Sequence, residues 1–422
     1  MALACIYATY FPFIALTYII AWLDRKIGFP LAFPRDVNGL AKKQQWCVSK
    51  LKANGILPDD AEITDYKVTP LIQEIIFRSN AGIVEIHYAS KGAPHLLKCF
   101  AKFAPLMGTV WNRTIFNLQL NHIKEIFFNR HFTSSGKIPA PKVFYADLSY
   151  GTGNLCLLTE YMENNTHYLD CAYDHFPDEH LQLALDGLAA LHAAFWNAPE
   201  KSVEKILPIP DNAVYFFDSL VARSWSPAAR TILVQAWRYM NEFQTVLHGD
   251  SRVGNMMFPS GSSGRFVFID WQAVRRGRAA YDLAYFLILS LTAEHREAVE
   301  KQSVETYFKH LSDKGVRNYS RQELEEDYRH ACLCILVLLS LPLLSGEASV
   351  QGKAALIFVF GMGVWRERLQ TKFRGFDYQW LAQRYNITEQ EGHDAVDEML
   401  GVIENRLAKI HAENAVETVA AA

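Results

Sequence analysis

Residues 248–282 decide how this chain is read: His248-Gly249-Asp250-Ser251-Arg252-Val253-Gly254-Asn255, then Phe268-Ile269-Asp270-Trp271-Gln272, then Tyr281-Asp282-Leu283-Ala284. Asn255 follows Asp250 by five residues, and Asp270 follows Asn255 by fifteen, at the end of the apolar run Phe266-Val267-Phe268-Ile269. Phosphoryl chemistry needs one carboxylate to orient an attacking hydroxyl and hard oxygen ligands to hold Mg²⁺ against nucleotide phosphates. Asp250 fits the first role; Asn255 and Asp270 fit the second. An HGD tripeptide alone is common. Weight comes from the joint pattern, in which an apolar strand delivers Asp270 and a second apolar segment is entered through Asp282.

Working outward, LHGDSRVGNMMF followed by FIDWQAVRRGRAAYDLAYFL resembles the aminoglycoside phosphotransferase and choline kinase superfamily, whose members share the protein-kinase fold. It is most similar to the ecdysteroid-kinase-like (CHK kinase-like) branch, with its HGD, Asn, DWQ and DLAYFL segments. The likeness is dense over residues 247–288 and diffuse but collinear over about 60–400. It implies an α+β, protein-kinase-like two-lobe fold, with a small β-rich N-lobe and a large helical C-lobe. It also implies ATP and Mg²⁺ as cofactors and a small-molecule hydroxyl as acceptor. Spacing alone reaches only Mg²⁺-assisted phosphoryl chemistry.

The same likeness assigns further residues. A kinase carries a Lys on its third strand to hold the α/β-phosphates and pairs it with a Glu on the next helix. Leu96–Pro105 reads as that strand. Lys98 and Lys102 share a strand face, since side chains four apart point the same way. Lys102 is the better match because it stands just before the Pro-terminated end. Residues 115–132 have helical periodicity, and Glu125, among apolar neighbours, is the implied partner. A solvated helix residue is the alternative. Leu155–Met162 reads as a buried strand entering a hinge, where backbone near Glu160 and Met162 would meet the adenine. His248 would orient the catalytic loop, and Asp282 would brace it through its backbone. Arg252 reads equally as a contact to phosphate or as a surface residue.

Composition excludes other classes. The 422 residues carry a formal charge of −3, with a pI of about 6.5, so no basic field invites nucleic acid. Half the chain is hydrophobic, enough for more than one packed core. Seven scattered cysteines, an odd number without Cys-x-x-Cys, suit a reducing compartment. Cys332 and Cys334 sit in an apolar run and read as packing.

The N-terminus carries the second signal. Met1–Leu23 has no charged side chain, and Asp24-Arg25-Lys26 closes the run. A stretch of this length suggests a membrane span or a monotopic anchor. Pro12 and frequent Tyr also suit a packed extension. If it spans, Arg25 and Lys26 place the following region in the cytoplasm; a cytoplasmic protein without an anchor is the alternative. The organisation expected is thus a hydrophobic segment over 1–30, an N-lobe over 31–160, a C-lobe over 161–411 and a flexible tail over 412–422.

Smaller expectations complete the reading. Gln44–Asn54 reads as a helix. Leu71–Phe77 and Ile83–Tyr88 read as strands flanking Ser79-Asn80-Ala81-Gly82, where a phosphate-cradling turn belongs; Gly82 is its only glycine. Leu181–Trp196 is a helix with His192 packed in it. Tyr215-Phe216-Phe217 and Trp225 mark a region for substrate specificity, by family likeness alone. Leu283–Leu291, Val299–Leu311 and Leu324–Leu344 read as helices, and Ala331–Ser345 and Ala354–Trp365 as large-lobe core. Thr388-x-x-Glu391 is a capping box opening the last helix. A small-molecule kinase follows, with a sterol or other lipophilic alcohol, an amine alcohol or a hydroxylated xenobiotic as acceptor. The rival is a membrane-tethered pseudokinase that binds nucleotide or a partner without turnover, favoured by the scarcity of glycine at the phosphate turn.

Overall fold

The computed structural model describes residues 2–71, 80–104, 110, 114, 121–133, 136–168, 176–199, 203, 225–340 and 367–420. They form two compact units. The first holds residues 1–136, 140–164 and 269–273; the second holds 137–139, 165–268 and 274–422. The expected division near residue 160 falls close to the break at 164, but the first unit also takes in the five residues around Asp270.

The first unit is built on a five-stranded antiparallel sheet of order β1-β2-β3-β5-β4. The strands are β1 (Glu62–Pro70), β2 (Asn80–Ser90), β3 (Ala93–Phe103), β4 (Val143–Leu148) and β5 (Leu155–Glu160). Lys91-Gly92 closes the tight β2–β3 hairpin, where Ser90 pairs with Ala93. Strand alternation then sorts the side chains. Val84, Ile86, Cys99, Ala101, Phe103, Cys156 and Leu158 point to one face. There they bury against Leu40 of α2 (Val37–Ala41) and Cys47 and Leu51 of α3 (Gln44–Ala53). The opposite face presents Leu155 and Leu157 to Ile126 of α4 (Asn121–His131). Lys102, paired across the ladder with Leu157, belongs to this second face.

Two expectations change here. The first strand is Glu62–Pro70, earlier in the chain than expected; residues 72–77 of the anticipated strand lie outside the described residues. Gly82 lies inside β2 opposite Pro70, not in a turn. A Cβ there would stand 2.9 Å from Val37 Cγ1 and 3.0 Å from the Thr69 carbonyl oxygen, so its absence lets α2 close on the sheet.

The apolar N-terminus forms helix α1 (Ala2–Ile27). Among the described residues no helix is long and apolar enough to cross a membrane, so the expected transmembrane span is not supported. The end of α1 is tied to its own unit. Asp24, buried, accepts from Arg35 Nη1 and Nη2 at 3.1 and 2.9 Å, from Asn154 Nδ2 at 3.1 Å and from the Phe29 amide at 3.1 Å.

The second unit is mainly helical: α5 (Asp178–Ala194), α6 (Pro227–Asn241), α7 (Ala280–Ser290), α8 (Ala293–Asp313), α9 (Arg321–Ser340), α10 (Tyr378–Tyr385) and α11 (Glu389–Ala420). Every residue of α7 is buried, Asp282 and Ser290 included, which marks this mainly apolar helix as the centre of a core. It packs on α9, α9 packs on α6, and α5 packs on α8. Short strands complete it: β6 (Asn165–His167), β8 (Met256–Pro259) and β9 (Val267–Phe268) in one sheet, and β7 (Thr245–Leu247) with β10 (Arg275–Gly277) in another. Cys332 and Cys334 are buried free thiols, as packing required. Thr388 opens α11 as expected, its amide donating to Glu391 Oε2 at 2.7 Å and its Oγ1 accepting from the Glu391 amide at 3.2 Å. The helix continues to Ala420, so the tail expected beyond His411 is helical. Ala and Glu dominate that stretch and no breaker interrupts it. Residues 204–224, with Tyr215–Phe217, and residues 341–366, with Ala354–Trp365, lie outside the described residues.

Candidate active site

Within the first unit, strand parity aims Lys102 at α4. Glu125 sits on the inward stripe of that helix with His122, Ile126, Phe128 and Asn129. Lys102 Nζ donates to Glu125 Oε1 at 2.6 Å and to Asp270 Oδ1 at 2.9 Å. Their side chains are 10%, 1% and 26% exposed. Burial alone would lower the lysine pKa, but the Asp270 and Glu125 carboxylates outweigh it and hold the ammonium above the ordinary lysine value. Burial raises the Glu125 carboxyl, with Lys102 pulling the other way. Among the described residues Glu125 Oε2, buried, has no hydrogen-bond partner. Lys98, on the same face four residues back, instead ion-pairs with Glu163.

Asp270 is held to this face by its neighbours. Trp271, 1% exposed, stacks on Phe128 of α4 with ring centroids 4.4 Å apart. Gln272 Nε2 donates to Asp270 Oδ2 at 3.3 Å. Asp270 has φ of +63°, the left-handed region, which an aspartate enters more readily than most residues. Such a conformation outside glycine stores strain, and sites of chemistry are where folds keep it. Glu160 closes β5, its amide bonded to the Lys142 carbonyl, and Met162 lies half-buried just beyond.

The second unit holds the other half of the pattern. Gly249, at φ +81°, makes a turn that a side chain would resist, and so sets Asp250 at the loop tip. Asp282, fully buried at the start of α7, fixes that turn. Its Oδ2 accepts the His248 amide at 2.6 Å and its Oδ1 the Gly249 amide at 2.9 Å. Its carbonyl accepts Ser251 Oγ at 2.8 Å. His192 Nε2 lies 3.2 Å from Asp282 Oδ2, and His192 Nδ1 lies 2.6 Å from the Tyr307 hydroxyl. Burial would raise Asp282, but these partners outweigh it and hold its pKa below the ordinary carboxylate value.

Asp250 itself is engaged. Arg252 Nε donates to Asp250 Oδ1 at 3.0 Å, and Tyr285 hydrogen-bonds the same aspartate. Asn255 closes a 3₁₀ turn over Val253–Asn255. Its Nδ2 donates to the Asp250 carbonyl at 2.7 Å, which fixes the amide plane and leaves its oxygen as an acceptor. His248 packs on Phe268 with centroids 5.3 Å apart, a supporting position.

Residues 224–317 match the model of the ecdysteroid kinase-like family. That segment is similar to the family, over less than a quarter of the chain. The matched segment contains Asp250, Asn255, Asp270 and Asp282; Lys102 and Glu125 lie outside it. The chain is also similar to three solved kinases. The ethanolamine kinase of Plasmodium vivax shares 15% identity, with a TM-score of 0.46 over 82% of this chain and 95% of that one. The macrolide 2'-phosphotransferase of Brachybacterium faecium shares 14%, with a TM-score of 0.41 over 78% and 98%. The choline kinase of Streptococcus pneumoniae shares 13%, with a TM-score of 0.40 over 84% and 100%. No curated protein matched.

The residues to which the sequence alone gave no role are Trp271, Gln272, Tyr285 and Tyr307. The DWQ tripeptide was a signal for the first two: an aromatic and an amide directly after Asp270 are what stack on α4 and bond the carboxylate. Tyr285 lies one helical turn after Asp282 in α7, a spacing that could have flagged it.

Proposed function

We propose that this chain is an ATP- and Mg²⁺-dependent phosphotransferase that moves the γ-phosphoryl group to a hydroxyl of a small molecule. The observation that carries the reading is Lys102 held between Glu125 and Asp270. A buried lysine shared by two carboxylates is kept charged and aimed, which suits it to nucleotide phosphates. Asp250 would orient the acceptor hydroxyl and take its proton. A loose transition state asks mainly for such positioning and for neutralised charge, so a weakly basic aspartate suffices. Arg252, already paired with Asp250, would keep positive charge beside the transferred group.

Among the described residues no three His, Cys, Asp or Glu are grouped as metal ligands. Mg²⁺ does not ask for that. It keeps waters and takes one or two protein oxygens together with substrate phosphates. The Asp270 carboxylate and the Asn255 amide oxygen fit that donor set. When bound, Mg²⁺-ATP supplies the phosphoryl group and offsets its charge. Backbone near Glu160 and Met162 would receive the adenine. The acceptor favoured is a sterol or other lipophilic alcohol, because the apolar helix α1 suits work near a lipid surface; an amine alcohol or hydroxylated xenobiotic is the alternative.

One observation favours the pseudokinase. Ser79-Asn80-Ala81-Gly82, where a phosphate-cradling turn belongs, has Gly82 as its only glycine, and that residue lies inside β2. A single experiment separates the readings. The full chain is incubated with Mg²⁺-ATP and a cell lipid and metabolite extract, and phosphorylated products are read by mass spectrometry beside Asp250→Asn and a chelated control. A product lost in both controls supports the kinase. No product, with ATP still raising the melting temperature, overturns it in favour of the pseudokinase.

A further inference from the structure

Helix α1 is built inside out for a surface helix in water. Among the described residues nine large hydrophobic side chains are exposed, and seven of them lie on α1. At 3.6 residues per turn, Phe11, Tyr18 and Trp22 fall along one line, and Ile19 and Leu16 follow at about 80° and about 140° round from Phe11, so the exposed face is a broad arc. They are 65%, 43%, 46%, 52% and 53% exposed. The opposite face carries Ala21 and Asp24, at 0% and 2%. A surface helix in water does the reverse, turning its large apolar residues inward and its polar ones out.

The charges choose among the things that could cover this face. No charged residue precedes Asp24 in the chain, and Asp24 itself is buried in its ion pair with Arg35. The next two residues, Arg25 and Lys26, are exposed at the end of the helix. The exposed charged side chains that close the helix are thus basic, next to Tyr18 and Trp22, side chains that favour the boundary between headgroups and acyl chains. An apolar face of large side chains with a basic end fits an anionic lipid surface.

We infer that α1 lies in the plane of a membrane surface, with Phe11, Leu16, Tyr18, Ile19 and Trp22 sunk among the acyl chains and Arg25 and Lys26 on anionic headgroups. The helix enters one leaflet and does not cross. The ties from Asp24 to Arg35, Asn154 and the Phe29 amide hold its end to the sheet unit, so that docking the helix also holds that unit at the surface. This rests on α1 alone and stands apart from the proposed reaction.

The test is co-sedimentation of the full chain with vesicles of phosphatidylcholine alone and of phosphatidylcholine with phosphatidylserine, with velocity sedimentation of the chain without lipid. The wild type should sediment with the anionic vesicles, less with the neutral ones, and less again at high salt. Leu16→Ser, Ile19→Ser and Trp22→Ser together should weaken binding by roughly tenfold or more. Arg25→Glu with Lys26→Glu should remove the preference for phosphatidylserine. All five side chains are exposed, so both variants should melt like the wild type. A chain that stays in the supernatant with both vesicles overturns the proposal. So does a lipid-free dimer that the triple serine variant dissolves, which would put a second copy on this face.

Discussion

Lys102→Met removes the cation from the buried triad while keeping its volume. Glu125, 1% exposed, then faces Asp270 without a counter-charge. Asp270 is partly solvated and keeps Gln272, so the strain falls on Glu125. Its way out is to take up a proton. From an ordinary pKa of 4.5, each pH unit above that value costs about 1.4 kcal/mol. Protonation therefore caps the loss of stability at about 3.4 kcal/mol at pH 7, about 2 at pH 6 and about 0.7 at pH 5. The first figure sits at the low end of what breaking a buried ion pair usually costs, about 3–5 kcal/mol. The sign follows from the raised folded pKa: the variant is least impaired below 4.5 and weakens as pH rises towards that folded value. Urea unfolding of wild type and variant at the three pH values, at fixed ionic strength, reads the difference directly. Adding Glu125→Gln should return most of the loss at pH 7, because an amide is buried there without a charge, while turnover stays lost. A destabilisation of equal size at all three pH values, or none at pH 7, would refute the reasoning.

Three further outcomes are expected. Arg252→Ala should lower kcat by about 10²- to 10³-fold with little change in KM for ATP, as for loss of a cation acting in the transition state, and Arg252→Lys should recover part of it; steady-state kinetics on the acceptor found above decide this, and an unchanged kcat returns Arg252 to the surface role. Asp282→Asn should destabilise the second unit by about 2–4 kcal/mol at neutral pH, since a charged acceptor for two loop amides is lost. The folded pKa of Asp282 is depressed, so its contribution is present above 3.8 and lost as pH falls through the folded value; the gap between wild type and variant should close in acid unfolding curves. Gly82→Ala should cost about 1–3 kcal/mol by forcing Val37 and β1 apart, and Val37→Ala in the same chain should return part of that in thermal melts, the Thr69 carbonyl contact remaining.

The sequence showed most where one face of an element had to be apolar. Gln44–Asn54, Leu283–Leu291 (most of the all-buried helix Ala280–Ser290) and the capping box at Thr388 were readable from periodicity and local chemistry alone. Lys98 and Lys102 show where that stops. Parity gives both the same face, and what separates them is long-range: Glu125 on a helix beyond the strand, and Asp270, far along the chain, on one side, Glu163 on the other. Gly82 misled for a similar reason. A glycine beside a turn signature looked like a phosphate loop, yet its missing Cβ serves contact with Val37, a residue more than forty positions earlier. The left-handed backbone of Asp270 left no trace in residue type beyond the tolerance of aspartate for it.

The path of the chain around Asp270 limits how this protein can be taken apart. Residues 269–273 count with the first unit, although the residues on both sides of them, 268 and 274, count with the second. A fragment ending at Asn164 would keep Lys102 and Glu125 and lose Asp270; one beginning at Asn165 would carry Asp270 away from the lysine that neutralises it. No single cut yields both halves intact, so dissection by truncation would report on a damaged triad. Swapping the first unit between relatives, with residues 137–139 carried along, would need two exchanges in one gene, the second of them only five residues long.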